Sequence, residues 1–193
     1  MHYGDHEFIA MSRTLVLHAH PRPSQSVVTS ALLGTLRQGG PVQVRSLYEL
    51  YPDFDIDVDV EQHALLEADL VIWLTPVYWY SVPSLMKHWI DQVLLHGWAY
   101  GQGAAALRGK ACWWVSSVGA PVVDYAPHAM HSRPFAEYVA PLEQTARFGG
   151  MDWLPPFVVH AGHSAPETER QARCLDLLAQ LQLHRARIAE GTA

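Results

Sequence analysis

The 193-residue sequence lacks the features that mark several large classes of protein. Its two cysteines, Cys112 and Cys174, are too few for the disulfide framework of a small secreted domain. No apolar run approaches the roughly 18 residues that a membrane-spanning helix needs. The 13 lysines and arginines are scattered and the formal net charge is −6, so the sequence predicts neither a nucleic-acid partner nor a polybasic membrane patch.

Motifs of several enzyme classes are missing as well. There is no G-x-G-x-x-G, no P-loop, no G-x-S-x-G and no H-E-x-x-H. Aspartates alternate from Asp53 to Asp59 as in a calcium loop, but Val58 stands where that loop needs glycine and Ala64 where it needs glutamate. The sequence therefore predicts a solvated loop there and no metal site.

Apolar segments of strand length alternate with segments of helical periodicity, the pattern of a parallel sheet with helices on both faces. The predicted strands span residues 14–18, 42–47, 69–75, 110–117 and 153–160. The predicted helices span residues 24–38, 60–68, 83–95, 134–148 and 166–188. We expect one α/β domain over residues 13–190, after a disordered N-terminal extension over residues 1–12 that is not a secretory signal.

In such a sheet the ligand lies beyond the carboxyl ends of the strands, so the loops that follow the strands are the candidate site. The loop after the first predicted strand leads into a helix. Its polar residues include His20, Ser24, Ser26 and Thr29. Hydroxyls and an imidazole at a helix N-terminus suit a monophosphate, and the alternative is an ordinary loop with capping serines.

Aromatic residues dominate the loop after the third predicted strand. Residues 78–80 are Tyr, Trp and Tyr, and they cannot all be buried in a sheet covered on both sides. We expect some of them to face the crevice and pack against a flat ring, the alternative being a core or an oligomer interface. After the fourth strand, Gly119 allows close backbone approach. Farther on, Tyr125 and His131 can stabilise developing negative charge.

Longer motifs resemble the flavodoxin-like NAD(P)H quinone oxidoreductases, especially the cytoplasmic ancillary subunit of bacterial glutathione-regulated potassium-efflux systems. The resemblance extends over about residues 14–183. It is carried by AHP (19–21), RSLYELYPDFDID (45–57), ADLVIWLTPVYWYSVPSLMKHWIDQV (68–93), HGWAYG (96–101) and WLPPF (153–157). It implies a flavodoxin-like three-layer sandwich around a five-stranded parallel sheet of order 2-1-3-4-5.

The resemblance also implies a flavin site built from three loops. The cofactor-binding residues would be His20, Ser26, Val27, Val28 and Thr29 at the phosphate, Pro76, Val77, Tyr78 and Trp79 at the ring wall, and Ser117, Val118, Gly119 and Ala120 in the third loop. Two positions depart from the family pattern. Thr29 stands where the family usually has asparagine, and Ala120 stands where it usually has a second glycine.

By the same resemblance Tyr125 and His131 are catalytic and accommodate charge on the reduced flavin. Tyr100 and Trp98 border the site for quinone and nicotinamide, commonly across a homodimer interface. The implied cofactor is FMN, with FAD as the alternative, because the chain lacks the long C-terminal extension of the adenine-dinucleotide-binding members. The implied reaction is a two-electron, ping-pong hydride transfer from NADPH or NADH to a quinone.

Three alternatives to this enzyme stay open. The chain would be a regulatory ancillary subunit that activates a potassium-efflux antiporter, cytoplasmic or held peripherally at the inner membrane by that partner. It would be a one-electron flavodoxin-type carrier, although such carriers usually have a strongly acidic docking surface and −6 is only mildly acidic. Or it would be an inactive relative of the fold, in which Thr29 and Ala120 mark a decayed site.

Overall fold

The computed structural model describes residues 13–191, and the extension predicted over residues 1–12 lies outside them. Five parallel strands form one sheet in the order β2-β1-β3-β4-β5, which confirms the predicted flavodoxin-like order. The strands are β1 (Thr14–His18), β2 (Gln43–Ser46), β3 (Leu70–Pro76), β4 (Ala111–Ser117) and β5 (Asp152–Val159). Within the described range the α-helices are α1 (Val28–Gln38), α2 (Leu47–Leu50), α3 (Val58–Glu67), α4 (Ser84–Val93), α5 (Ala136–Phe148) and α6 (Glu167–Ala189).

The central strands β3 and β4 are buried along their whole length because helices cover both faces of the sheet. Successive side chains of a strand point to opposite faces, so neighbouring residues enter two separate cores. Ile72 and Trp113 pack with apolar residues of α1 and α6. Trp73 and Trp114 pack with apolar residues of α3, α4 and α5. This two-sided burial explains why both strands are continuous apolar runs in the sequence.

Several element boundaries differ from the prediction by one to four residues, and two of the differences have a clear physical reason. The first helix begins at Val28 rather than at residue 24, because a separate 3-10 turn (Pro23–Gln25) precedes it. The second strand ends one residue early, because Leu47 is the first residue of the short helix α2. Leu47 is fully buried as the first residue of α2, and a strand residue at this position would also be apolar. A short apolar segment looks the same at the end of a strand and in the first turn of a helix, so the pattern did not separate the two.

A buried carboxylate connects β2 with the helices that follow it. Glu61 of α3 is fully buried, and its Oε1 accepts hydrogen bonds from Arg45 Nε at 2.9 Å and Nη2 at 2.5 Å, and from Tyr51 OH at 2.6 Å. Its Oε2 accepts a hydrogen bond from Trp89 Nε1 of α4 at 2.9 Å. Burial and the hydrogen bond to Glu61 raise the pKa of Tyr51 to about 12, so the phenol stays a donor. Both oxygens are bonded, which offsets the cost of removing the charge from water.

The cysteines form no disulfide with each other, and the aspartates around residue 57 do not form a metal site. Cys112 in β4 and Cys174 in α6 are free thiols. Asp57 is the N-cap of α3, and its side chain accepts a hydrogen bond from Val60 N at 3.1 Å. Over residues 13–191, no group of three His, Cys, Asp or Glu side chains could hold a metal ion. No helix in that range is long and apolar enough to cross a membrane.

Replacing Glu61 with alanine should destabilise the protein strongly, because the largely buried Arg45 guanidinium would lose its partner. We expect the free energy of unfolding to fall by about 3–5 kcal/mol, measured by urea denaturation. Arg45→Ala removes the same ion pair, so the double variant should lose less than the sum of the two single losses.

The matched control is Lys87→Ala, which breaks the exposed ion pair of Lys87 with Asp91. It should change the free energy of unfolding by less than about 1 kcal/mol. Losses for Glu61 and Arg45 that simply add would contradict the coupling described above.

Candidate functional site

A cavity of about 470 Å³ lies at the carboxyl ends of β1, β3 and β4. Eight of the thirteen predicted cofactor residues line it: His20, Ser26, Val27, Val28, Thr29, Pro76, Tyr78 and Ser117. The other five, Val77, Trp79, Val118, Gly119 and Ala120, belong to the same loops but do not line it. The lining also includes Pro21, Arg22, Gln25 and His163, which were not among the predicted cofactor residues.

The first turn of α1 presents hydrogen-bond donors to this cavity. The N-cap residue is Val27 rather than a serine, and its side chain cannot accept a hydrogen bond from the helix amides. Ser26 Oγ accepts a hydrogen bond from Ser30 N at 3.2 Å and contacts the hydroxyl of the buried Thr29. The two hydroxyls therefore lie side by side at the positive end of the helix dipole, an arrangement that suits an anion.

His20 has a fixed ring orientation beside these hydroxyls. Its Nδ1 accepts a hydrogen bond from the backbone N–H of Arg22 at 3.1 Å. The neutral ring therefore carries its proton on Nε2, which remains a donor. Burial lowers the pKa of His20, so the neutral form predominates at pH 7.

The loop after β3 makes a tight turn whose tip is aromatic. Tyr78 N donates to Ser81 O at 2.9 Å, and Ser81 N donates to Tyr78 O at 3.1 Å. Trp79 and Tyr80 at the tip have φ angles of 48° and 64°. Bulky residues rarely adopt this left-handed conformation, which costs of the order of 1 kcal/mol each. Tyr78 lines the cavity while Trp79 is 93% exposed, so the aromatics do not form a buried plug.

The loop after β4 is partly used by the sheet. Val118 N donates to Val159 O at 2.8 Å, so this amide is not available to a ligand. The amides of Gly119 and Ala120 make no hydrogen bond to any residue between 13 and 191. A Cβ placed on Gly119 would meet no atom within 4 Å, so the loop borders open space at this point.

Tyr125 and His131 pack against each other next to the aromatic turn. Their rings are stacked with centroids 4.5 Å apart, and His131 Nδ1 lies 3.3 Å from the hydroxyl of Tyr80. Neither residue lines the cavity. His131 Nε2 is buried without a partner in the described part of the chain. Burial raises the pKa of Tyr125, so its phenol stays protonated at neutral pH.

Tyr100 and Trp98 lie away from this cavity within one chain. Both follow α4, which begins three residues after the aromatic turn and is about 15 Å long. Tyr100 lines a separate cavity of about 280 Å³ between α4 and α5, where its ring centroid is 5.2 Å from that of Phe148. Their placement at a substrate site would need a second copy of the chain, and it stays a prediction.

His18 is buried directly before the first loop. It is 4% exposed, and its Nε2 has no hydrogen-bond partner among the described residues. Burial, followed by the neighbouring His20, lowers the pKa of His18 to about 4. The imidazole is therefore neutral in the folded protein at every pH above about 5.

Comparisons with known proteins match this architecture. Residues 12–181 match the model of a family described as having a flavodoxin-like fold. The glutathione-regulated potassium-efflux system ancillary protein KefF of Klebsiella aerogenes is 46% identical over 163 residues, covering 82% of this chain and 89% of that protein.

Two solved structures are similar as well. General stress protein 14 of Treponema denticola, in complex with FMN, is 37% identical with a TM-score of 0.81, and the match covers 89% of this chain and 98% of that one. An NADPH-quinone reductase of P. pentosaceus is 28% identical with a TM-score of 0.78, and the match covers 87% and 96% of the two chains.

The buried His18 should make the protein sensitive to acid. In the unfolded chain this residue binds a proton below about pH 6.5, whereas in the folded protein it does so only below about pH 4. Protonation therefore favours the unfolded chain between these two pH values, and the protein loses stability as the pH falls from 6.5 to 4. Between pH 7 and pH 5 we expect His18 to account for a loss of about 2 kcal/mol.

Urea denaturation of the wild type and of His18→Gln at both pH values measures this contribution. The variant should lose less stability on acidification, whatever its stability at pH 7. His63→Gln, which changes an exposed histidine of α3, should keep the wild-type pH dependence. Equal pH dependence in His18→Gln and the wild type would show that the assignment is wrong.

Proposed function

The chain belongs to the flavodoxin-like fold family, and on that premise we propose that it is a flavin-dependent NAD(P)H:quinone oxidoreductase that uses FMN. The cavity at the carboxyl edge of the sheet is the observation that supports this most. Its first loop offers hydroxyls, helix amides and the Nε2–H of His20, and its second loop offers an aromatic wall. Among the described residues that line it there is no carboxylate, so an anionic ligand would not be repelled.

The donor set fits the phosphate end of FMN. The hydroxyls of Ser26 and Thr29 are hydrogen-bonded to each other, which leaves one of their two protons free for a ligand. The Nε2–H of His20 is a second side-chain donor, and the amides of the first turn of α1 add more. Thr29 replaces the usual asparagine with a hydroxyl that stays next to that of Ser26. The T. denticola relative in complex with FMN and the NADPH-quinone reductase of P. pentosaceus support the same choice of cofactor and reaction.

Bound FMN would supply the redox chemistry, accepting a hydride from NADPH or NADH and passing two electrons to a quinone. The chain would hold the ring against the aromatic turn and meet the negative charge that reduction adds. The amides of Gly119 and Ala120 are unpartnered donors in the described chain and can serve this purpose. Tyr80 OH can donate a hydrogen bond to His131 Nδ1, and the proton of the neutral imidazole is then on Nε2. Tyr125 stacks on the same ring.

A second function is favoured by the similarity to KefF, which covers 82% of the chain. In this function the chain activates a potassium-efflux antiporter at the membrane as a peripheral homodimer, and its reductase activity is secondary. Potassium efflux from cells that produce the antiporter, with and without this chain, tests it. A variant without reductase activity that still supports efflux would separate the two functions.

The first test of the enzyme is the visible absorbance of the purified protein after incubation with FMN. NADPH added without oxygen should bleach the flavin bands in one two-electron step, and benzoquinone should restore them. Reduction in two separate one-electron steps would instead favour an electron carrier. Failure to bind FMN or FAD at all would contradict the proposal.

His131→Ala should slow turnover by about 100- to 1,000-fold while FMN stays bound, because it removes a donor to developing charge without touching the phosphate end. Stopped-flow absorbance measures the rate, and the flavin content of the purified variant measures binding. The matched control is His128→Asn, an exposed position of the same loop with φ of 68°, which asparagine tolerates. An unchanged rate in His131→Ala would remove His131 from the mechanism.

A further inference from the structure

We propose that His163 is a specificity-determining residue that, together with His20, selects a phosphomonoester, so that the chain binds FMN more tightly than FAD or riboflavin. This inference rests on the proposed flavin site. It concerns a residue that comes from the loop after β5 and lines the same cavity as the first loop. In the sheet, β3 and β4 lie between β5 and β1. The loop after β5 therefore starts far from the first loop, and other contacts must bring His163 to the cavity.

Hydrogen bonds between loops bring His163 to the cavity. Ala161 N donates to Ala120 O at 3.1 Å, and Gly162 N donates to Val118 O at 3.1 Å. The loop after β5 is thereby attached to the loop after β4, one strand closer to the cavity. Ser164 N donates back to Ala161 O at 2.9 Å, which closes the turn that presents His163.

A glycine lets this turn approach the start of α1. A Cβ on Gly162 would lie 2.9 Å from Val28 Cγ2, closer than real Cβ atoms come. The backbone of the turn is therefore in contact with the first turn of α1, where the amides of Val28 and Thr29 make no hydrogen bond to any described residue. The next residue, His163, reaches the cavity that those amides also line.

The electrostatics of the cavity favour an anion. Arg22, His20 and His163 all line it, and His163 is near enough to lower the pKa of His20 after the larger effect of burial. The guanidinium of Arg22 supplies positive charge, while the neutral ring of His20 supplies a hydrogen-bond donor at Nε2. The other groups that face His20 are the ring of Tyr78, 6.3 Å away between centroids, and the buried His18, and no carboxylate of the described residues lines the cavity.

The structure gives His163 no other role. It is exposed, and it forms no hydrogen bond to any residue of the described range, so neither core packing nor a cap depends on it. Besides the helix amides and His20, His163 adds a donor from a third segment. A phosphomonoester has three terminal oxygens for three sets of donors, whereas the linked phosphate of FAD has two and riboflavin has none.

Isothermal titration calorimetry with FMN, FAD and riboflavin tests this, using the wild type and His163→Ala, which removes the imidazole donor. The wild type should bind the three flavins in that order of affinity. In His163→Ala the Kd for FMN should rise by about 10- to 100-fold, the usual effect of losing a hydrogen bond to a charged group. The Kd for riboflavin should change by less than about twofold, because riboflavin has no group for His163 to bind. His63→Ala, at an exposed position of α3, is the matched control and should bind all three as the wild type does.

The outcomes separate this inference from the proposed function. If the wild type binds FMN and His163→Ala keeps the wild-type preference for FMN over riboflavin, His163 does not select the phosphate and the flavin site stands. If the variant loses FMN and riboflavin affinity equally, the residue supports the loop and the inference is wrong. If no flavin binds the wild type, the proposed function fails first. Circular dichroism of the variant, unchanged from the wild type, confirms that it is folded.

Discussion

The buried carboxylate of Glu61 is the interaction on which the arrangement of one side of the molecule depends. Its four hydrogen bonds come from β2, from the residue after α2 and from α4, so one side chain fixes how three segments meet α3. A charge without water requires each of these donors in place, and a shift of any of them would leave it unsatisfied. The aromatic turn directly precedes α4, so the position of that helix also fixes one wall of the cavity.

The loops after β3, β4 and β5 form one connected wall, because each of them is hydrogen-bonded to the next. Val77 N donates to Ser117 O at 2.8 Å, which joins the loops after β3 and β4. The loop after β4 is joined in turn to the end of β5 and to the turn beyond it. Prolines at both ends of the aromatic turn, Pro76 and Pro83, restrict its backbone further. These connections hold Trp79 and Tyr80 in a conformation that neither would adopt alone.

The sheet was predictable because its central strands are apolar on both faces, and the loops of the site follow from the order of the strands. The end of β2 was not predictable, since Leu47 is buried in a strand or in a helix alike. His163 was missed because its approach to the cavity depends on two loop-to-loop hydrogen bonds and on the contact of Gly162 with Val28, none of which is a local pattern. A glycine and a histidine three and four residues after a strand were the signal that the sequence offered. The roles of Tyr125, His131, Tyr100 and Trp98 stay predictions.

The exposed tip of the aromatic turn gives the molecule an optical property. Of its seven tryptophans, Trp73, Trp89, Trp113 and Trp114 are at most 1% exposed, whereas Trp79 is 93% exposed. An indole in water emits light of longer wavelength than one in an apolar core. The long-wavelength side of the intrinsic emission therefore reports chiefly on Trp79, which directly follows the cavity-lining Tyr78. The protein carries its own fluorescent label in one of the loops that form the cavity.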